Sequence, residues 1–252
     1  MIHLPETEAL LIAYSGGKDS LAVLDLAVAS GKRVEAFFMF FIPGMDYTAH
    51  WTDLARRRYG IVVREYLHFG SIGMLRNGVF RSYPIDAPAV SITDIEAKAR
   101  QDSGIEWIGY GYKSVDSLER RGMIHSWPGG ICHDARGKIF APLKDWKNRD
   151  VFAYLTRRKL PIPRGDGSTR DFGIDAMPAT LAWLREHWPD DYKRILKVFP
   201  FAAAQADRAE PLRLAKEATR KQRRVEQQQQ RKQRQQPTCR EDKPADLQQQ
   251  PA

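Results

Sequence analysis

Two cysteines, Cys132 and Cys239, are all that a chain of 252 residues contains. That scarcity excludes a four-cysteine cluster or zinc site within one chain and argues against a disulfide framework, so a reducing cytosol is the expected compartment. Long apolar runs are also missing. "ALLIAY" and "AFFMFFI" are the longest, far short of the roughly 20 residues that span a bilayer. No basic region precedes the first of them, so neither export nor a membrane span is expected. Acidic residues are in deficit: 31 Asp and Glu face 40 Lys and Arg, a net charge of +9. Such an imbalance favours an anionic partner, nucleotide or nucleic acid, or a basic solubilising surface.

What is present is an alternation. Residues 9–14, "ALLIAY", form a short apolar run ending at glycines, as a buried parallel strand does. In "SLAVLDLAVASG" the apolar Leu21, Leu24, Ala27 and Val28 recur at helical spacing, with Gly31 as a left-handed terminator. The order repeats: strand 34–41, an amphipathic helix closed by Gly60, strand 61–69, a helix over 92–102 with Ser91 as N-cap, and a strand over 105–112. At least four strands alternating with helices predict an α/β fold, a twisted and mainly parallel sheet flanked by helices. From about 145 the pattern turns helical, with "NRDVFAYLTRRK" beginning at Asn148 as a cap, then "PATLAWLREHW" and "DYKRILKVF". The Gly- and Pro-rich "PIPRGDGSTRDFG" between them reads as a surface loop in which Arg164 and Arg170 either face solvent or receive an anionic acceptor.

Two regions follow: a catalytic domain over 1–201 and a basic Gln/Arg/Lys-rich tail over 202–252, helical or disordered. Residues 216–236 hold eight Lys or Arg against two Glu and almost no large apolar side chains. The tail serves either solubility or contact with nucleic acid. Cys239 lies in it, away from any catalytic pattern.

The chemistry concentrates in "SGGKDS", residues 15–20, between the first strand and the first helix. It is not the common P-loop, whose glycines are four residues apart. Adjacent Gly16 and Gly17 make a tighter turn that directs backbone N–H groups to one point, beside the positive end of the following helix. Pyrophosphate suits such a cradle. Lys18 would neutralise phosphate oxygens, Ser15 and Ser20 would donate hydroxyl hydrogen bonds, and Asp19 would hold magnesium directly or through water. A plainer reading has Ser15 or Asp19 capping the helix and Lys18 facing solvent. Elsewhere, Cys132, His133 and Asp134 are adjacent on an expected strand, point in different directions and lack further ligands, so no metal site is assigned to them.

"SGGKDS" resembles the signature loop of the PP-loop ATP pyrophosphatases of the adenine nucleotide alpha hydrolase superfamily. "IGYGYKSVDSLER" (108–120) is similar to the GxRxxES segment of the phosphoadenosine phosphosulfate reductase and sulfate adenylyltransferase branch, with Lys113 for arginine and Asp116 for glutamate. "FAPLKDWKNRDVFAYLTRRKLPIP" (140–163) resembles a third element of that branch. The resemblance implies ATP as the nucleotide, with Mg2+, bound at the C-terminal edge of the sheet between the first strand and that at 105–112. It implies phosphate contacts from Lys113 and from Arg120 or Arg121, nucleotide contact near Gly109, and adenine beside the backbone of Met39 and Phe40, where Phe40 also reads as core.

Reductases of that branch use a cysteine near the C-terminus, and some add cysteine pairs for an iron–sulfur cluster. Here Cys239 sits in "PTCRED" and the corresponding loop reads "RDFGIDAMP". Adenylylation of an unidentified acceptor, in sulfur metabolism or nucleic-acid modification, is therefore favoured, with Lys18, Asp19 and Lys113 as catalytic residues. That reading implies a partner subunit or an external sulfur donor. The alternatives are a sulfonucleotide reductase-like enzyme and a non-catalytic nucleotide- or nucleic-acid-binding accessory protein.

Overall fold

A computed structural model describes residues 3–134, 137–162, 177–208, 219 and 222. Strand β1 (Ala9–Ala13) leads into helix α1 (Lys18–Ala29), then β2 (Arg33–Phe40), α2 (Asp46–Tyr59) and β3 (Val63–Leu67). Helices α3 (Phe69–Arg76) and α4 (Ile92–Ser103) precede the short β4 (Ile108–Gly109). After α5 (Leu118–His125), a hairpin of β5 (Ile131–Asp134) and β6 (Gly137–Phe140) leads to helices α6 (Asn148–Arg157), α7 (Pro178–His187) and α8 (Pro189–Val198). The six strands lie in the order β3-β2-β1-β4-β6-β5. Every neighbouring pair is parallel except β5–β6. The first compact unit runs from Met1 to Ala209; of the second, Glu210–Ala252, the exposed Thr219 and Gln222 are described, both helical.

Alternation of side chains along the strands divides the core between the two faces of the sheet. Leu10, Ile12, Ala36 and Phe38 join one cluster with residues of α1, α2, α6, α7 and α8. Leu11, Phe37 and Ile108 join the other, with Ile95 and Ala99 of α4 and Ile124 of α5. Ala202 and Ala206, beyond α8, are fully buried in the first cluster.

Local signals explain most boundaries. Ser91 accepts the Asp94 N–H while the Asp94 carboxylate accepts the Ser91 N–H, a reciprocal cap on α4. Gly60 and Gly104 close α2 and α4 at φ of 64° and 69°. Gly31 is left-handed (φ 75°) just beyond Ser30, the residue that ends α1. Asn148 is not a cap: it is the first residue of α6, and the Asp150 carboxylate accepts the Lys147 N–H at 2.8 Å. The strand expected over 105–112 contracts to Ile108–Gly109, because the chain then turns towards the start of α1. Helices α3 and α5, the β5–β6 hairpin and its parallel return beside β4 carry no strong periodic signal in sequence. Among the described residues, no helix is long and apolar enough to cross a membrane.

Buried carboxylates fasten the helices to one another. Asp25 of α1, 1% exposed, accepts hydrogen bonds from Tyr59 (3.0 Å), Tyr154 (2.5 Å) and Arg158 Nε (2.7 Å), joining α1 to α2 and α6. Asp191 of α8 accepts the Asp46 and Tyr47 N–H groups, both at 2.8 Å, and so caps α2 from another part of the chain. Arg194 pairs with both Asp191 and Asp46.

Burial pushes the Asp25 carboxyl up, and the hydrogen bonds from Arg158, Tyr154 and Tyr59 outweigh it, holding the group below the usual carboxylate range. A lowered folded-state value contributes stability above the unfolded carboxylate range and loses it as the pH falls through the folded value. Asp25→Asn is expected to cost ~1–3 kcal/mol at neutral pH. The gap from the parent should narrow only as acid takes the pH below the usual carboxylate range and through the folded-state value, where both chains lack the charge. Urea unfolding followed from neutral pH down through that range checks this.

Candidate active site

Strand order reverses between β1 and β4: the chain proceeds outward to β2 and β3 on one side and to β6 and β5 on the other. At such a switch point the loops leaving the two strands separate and open a crevice at their C-terminal ends. After β1, Ser15–Ser20 comprise the glycine turn and the first residues of α1, and the loop after β4 carries Tyr110–Ser117.

The first loop is held by its own hydroxyls. Ser20 Oγ donates to the Gly17 carbonyl (3.0 Å) and accepts the Ser15 N–H (3.1 Å), while Ser15 Oγ accepts the Gly17 N–H (3.4 Å). Gly16 has φ 77°, and a Cβ there would lie 3.1 Å from Cβ of Trp51, so both conformation and space call for glycine. Gly17 precedes α1 without a side-chain cap. The first-turn N–H groups and the positive helix end are thus directed at the loop's concave side.

The second loop comes up against the first. A Cβ on Gly111 would stand 3.0 Å from Asp19 C and Cβ and 3.1 Å from Ser20 N. This approach carries Lys113 into the site. Lys113 is 1% exposed, and its Nζ lies 2.6 Å from Asp19 Oδ2 and 3.1 Å from Asp116 Oδ1. Lys18 Nζ is 2.9 Å from the same Asp19 Oδ2. One carboxylate oxygen therefore stands between two buried ammonium groups. Asp116 also holds the Lys113 backbone, accepting its N–H at 3.0 Å and donating to its carbonyl at 3.1 Å.

Gly109 lies within the sheet, in register with Ile12 and Phe140, and the Phe140 ring occupies the space beside its Cα. Met39 is two residues past the last β1–β2 pair, Ala13 with Phe37, so by strand alternation its N–H and C=O face the side where β1 has ended. The Phe40 carbonyl accepts the His68 N–H at 2.9 Å, and its side chain packs against the core. The Arg120 guanidinium lies 3.8 Å from the Tyr112 ring centroid, and Tyr112 stacks on Tyr110 at 4.5 Å. Arg121 Nε donates to the Ser114 carbonyl. Cys132 is buried on β5, while Arg164, Arg170 and Cys239 lie outside the described residues.

Sequence reasoning missed the Asp116 clamp, the Trp51 wall behind Gly16 and the Arg120–Tyr112–Tyr110 stack. Glycines two residues apart in "IGYGY" were the available signal for close approach. Among the described residues, no group of three or more His, Cys, Asp or Glu is placed to hold a metal ion. A single carboxylate beside phosphate oxygens remains compatible with magnesium, which keeps several waters and takes one or two carboxylates plus substrate oxygens.

No protein-family model matches the sequence, and no curated protein sequence matches it. Solved structures do. The chain is similar to the U34-tRNA thiolase NcsA from Methanococcus maripaludis, at 12% identity over 78% of this chain and 72% of that one, TM-score 0.43. It is similar to phosphoadenylyl-sulfate reductase from Candida auris in a phosphate complex, at 18% identity over 60% and 74%, TM-score 0.39. A glutamine-dependent NAD+ synthetase from Acinetobacter baumannii in complex with ADP gives 18% identity over 81% of this chain and 40% of that one, TM-score 0.41. At such identities a likeness reaches no further than fold.

The contact at Gly111 yields a direct test. Gly111→Ala should force the two loops apart and destabilise the protein by ~1–3 kcal/mol. Gly122→Ala, whose Cβ meets nothing within 4 Å, should be neutral or slightly stabilising. Paired thermal unfolding curves distinguish them.

Proposed function

We propose that this chain is a PP-loop enzyme that cleaves ATP between its α and β phosphates, releases pyrophosphate and adenylylates an acceptor. The observation that carries the reading is Lys113 of the β4 loop meeting Lys18 and Asp19 of the β1 loop at the point where strand order reverses. Two buried cations, an uncapped helix start and a glycine turn together make a site for polyphosphate. The order of "SGGKDS", "IGYGYKSVDSLER" and "FAPLKDW" along the chain supports the same reading through the resemblance.

In this scheme the acceptor's nucleophile attacks the α-phosphorus, a new bond to phosphorus forms, and the bond to the β-phosphate oxygen breaks. Lys18, Lys113 and the loop N–H groups stabilise charge on the departing pyrophosphate, so positioning and electrostatics provide the catalysis. Met39 offers its backbone N–H and C=O to the adenine edge. Asp19 would hold magnesium, which when bound neutralises phosphate charge. Arg120, braced on Tyr112, stands in the first turn of α5, directly after the loop that carries Lys113, and would reach the outer phosphates or an anionic acceptor.

Lys18→Ala and Lys113→Ala are each expected to lower pyrophosphate release about 10²–10³-fold with ATP and an accepted acceptor. Tight nucleotide binding by the parent chain, with no release across sulfate, thiol, carboxylate and RNA acceptors, would favour the non-catalytic accessory role. The reductase reading is disfavoured by cysteine: Cys132 is buried on β5, and Cys239 lacks the sequence setting of a reductase nucleophile.

A nucleic-acid acceptor would give the eight Lys and Arg of residues 216–236 a use. Deletion of residues 210–252 should then weaken RNA binding and flatten the dependence of log affinity on log salt concentration. An unchanged slope in a filter-binding titration counts against the tail as the contact.

A further inference from the structure

Lys113 Nζ has two carboxylate partners, Asp19 and Asp116, and only Asp19 belongs to the phosphate loop. The Asp116 carboxylate is fixed by the backbone of the residue whose side chain it binds: Oδ2 accepts the Lys113 N–H while Oδ1 faces Nζ. Lys113 is 1% exposed, so an ammonium group that departs from Asp19 while the side chain stays buried is stabilised by Asp116 or by a bound anion.

This matters because Asp19 Oδ2 is already engaged by two ammonium groups, at 2.6 and 2.9 Å. A divalent cation approaching that oxygen meets two like charges, a strongly repulsive arrangement where water is excluded. We propose that Asp116 is a positioning residue that acts through Lys113: it provides the alternative berth for the ammonium group and thereby sets how readily Asp19 turns to a divalent cation. Polyphosphate does the same from the other side, drawing Lys18 and Lys113 onto its oxygens. Cation and polyphosphate binding are consequently coupled through this chain's own lysines, in addition to any direct contact between the two ligands. The inference rests on the reading of residues 15–20 as a phosphate cradle.

The test uses the full chain with Mn2+ as probe, read by loss of the free-ion electron paramagnetic resonance signal, with and without inorganic pyrophosphate at matched free Mn2+. Asp116→Asn is expected to weaken Mn2+ binding to the protein alone about tenfold and to change it little once pyrophosphate is bound. Lys113→Met, an apolar replacement of similar length, should strengthen binding to the protein alone about tenfold and shrink the gain brought by pyrophosphate. Asp116→Glu should keep the parent pattern. If the parent binds Mn2+ alone too weakly to measure, Lys113→Met must bring it into range, or the proposal fails. An Asp116→Asn effect equal in both conditions, or absent in both, also overturns it while leaving the cradle intact. Pyrophosphate that does not bind the parent chain overturns the cradle, and this inference with it.

Discussion

The contact on which the site depends is the ion pair between Lys113 and Asp19. It is the point where a loop near residue 15 and a loop near residue 113 become one structure. Removing one partner of a buried pair costs more than the pair's net worth when the other is left unpaired; here Asp19 keeps Lys18 and Lys113 keeps Asp116, so the pair is one link of a buried charge network. The pair also needs backbones closer than most side chains allow. Gly111 supplies that proximity, since a Cβ would press on the first residues of α1. Charge and close packing thus specify the same geometry.

The sheet makes this possible by its connectivity. Parallel strands need crossovers, and three of them, through α1, through α2 and through α3 and α4, leave β1 and β4 adjacent although about a hundred residues separate them. The surrounding helices are then fixed by polar contacts of equally long range. Asp25 ties α1, the helix that starts in the glycine turn, to Tyr154 and Arg158 at the end of α6. Asp191 ties α8 to the start of α2, whose Trp51 forms the wall behind Gly16. Loop precision is therefore inherited from helix docking, and helix docking from carboxylates satisfied across the chain.

Much of this was legible in the sequence because it is encoded locally. An apolar run ending at glycines announced β1, a second apolar run announced β2, Ser91 announced the start of α4, and the adjacent glycines of "SGGKDS" announced a tight turn between strand and helix. What was not legible is what depends on distant neighbours. The two-residue β4 has too little sequence to show a period, and its existence rests on Ile12 at one side and Phe140 at the other. The hairpin from Ile131 to Phe140 is similarly defined by pairing. Asp116 looked like a substitution within a motif; only in three dimensions does its carboxylate take both ends of Lys113. The N-cap expected at Asn148 falls one residue earlier, at Lys147, because the Asp150 carboxylate accepts the Lys147 N–H from within the first turn.

The asymmetry of charge in the site also determines which substitutions report on function. Asp19 neutralises two buried lysines, so replacing it leaves both ammonium groups without that oxygen, and loss of activity then mixes a disturbed fold with lost chemistry. Replacing Lys18 leaves Asp19 paired with Lys113, and replacing Lys113 leaves it paired with Lys18. In each case the carboxylate keeps a cation and the loop keeps its serine hydrogen bonds. The lysine variants are accordingly the cleaner probes of the proposed phosphate recognition, and the difference between them separates the contribution of the helix start from that of the β4 loop.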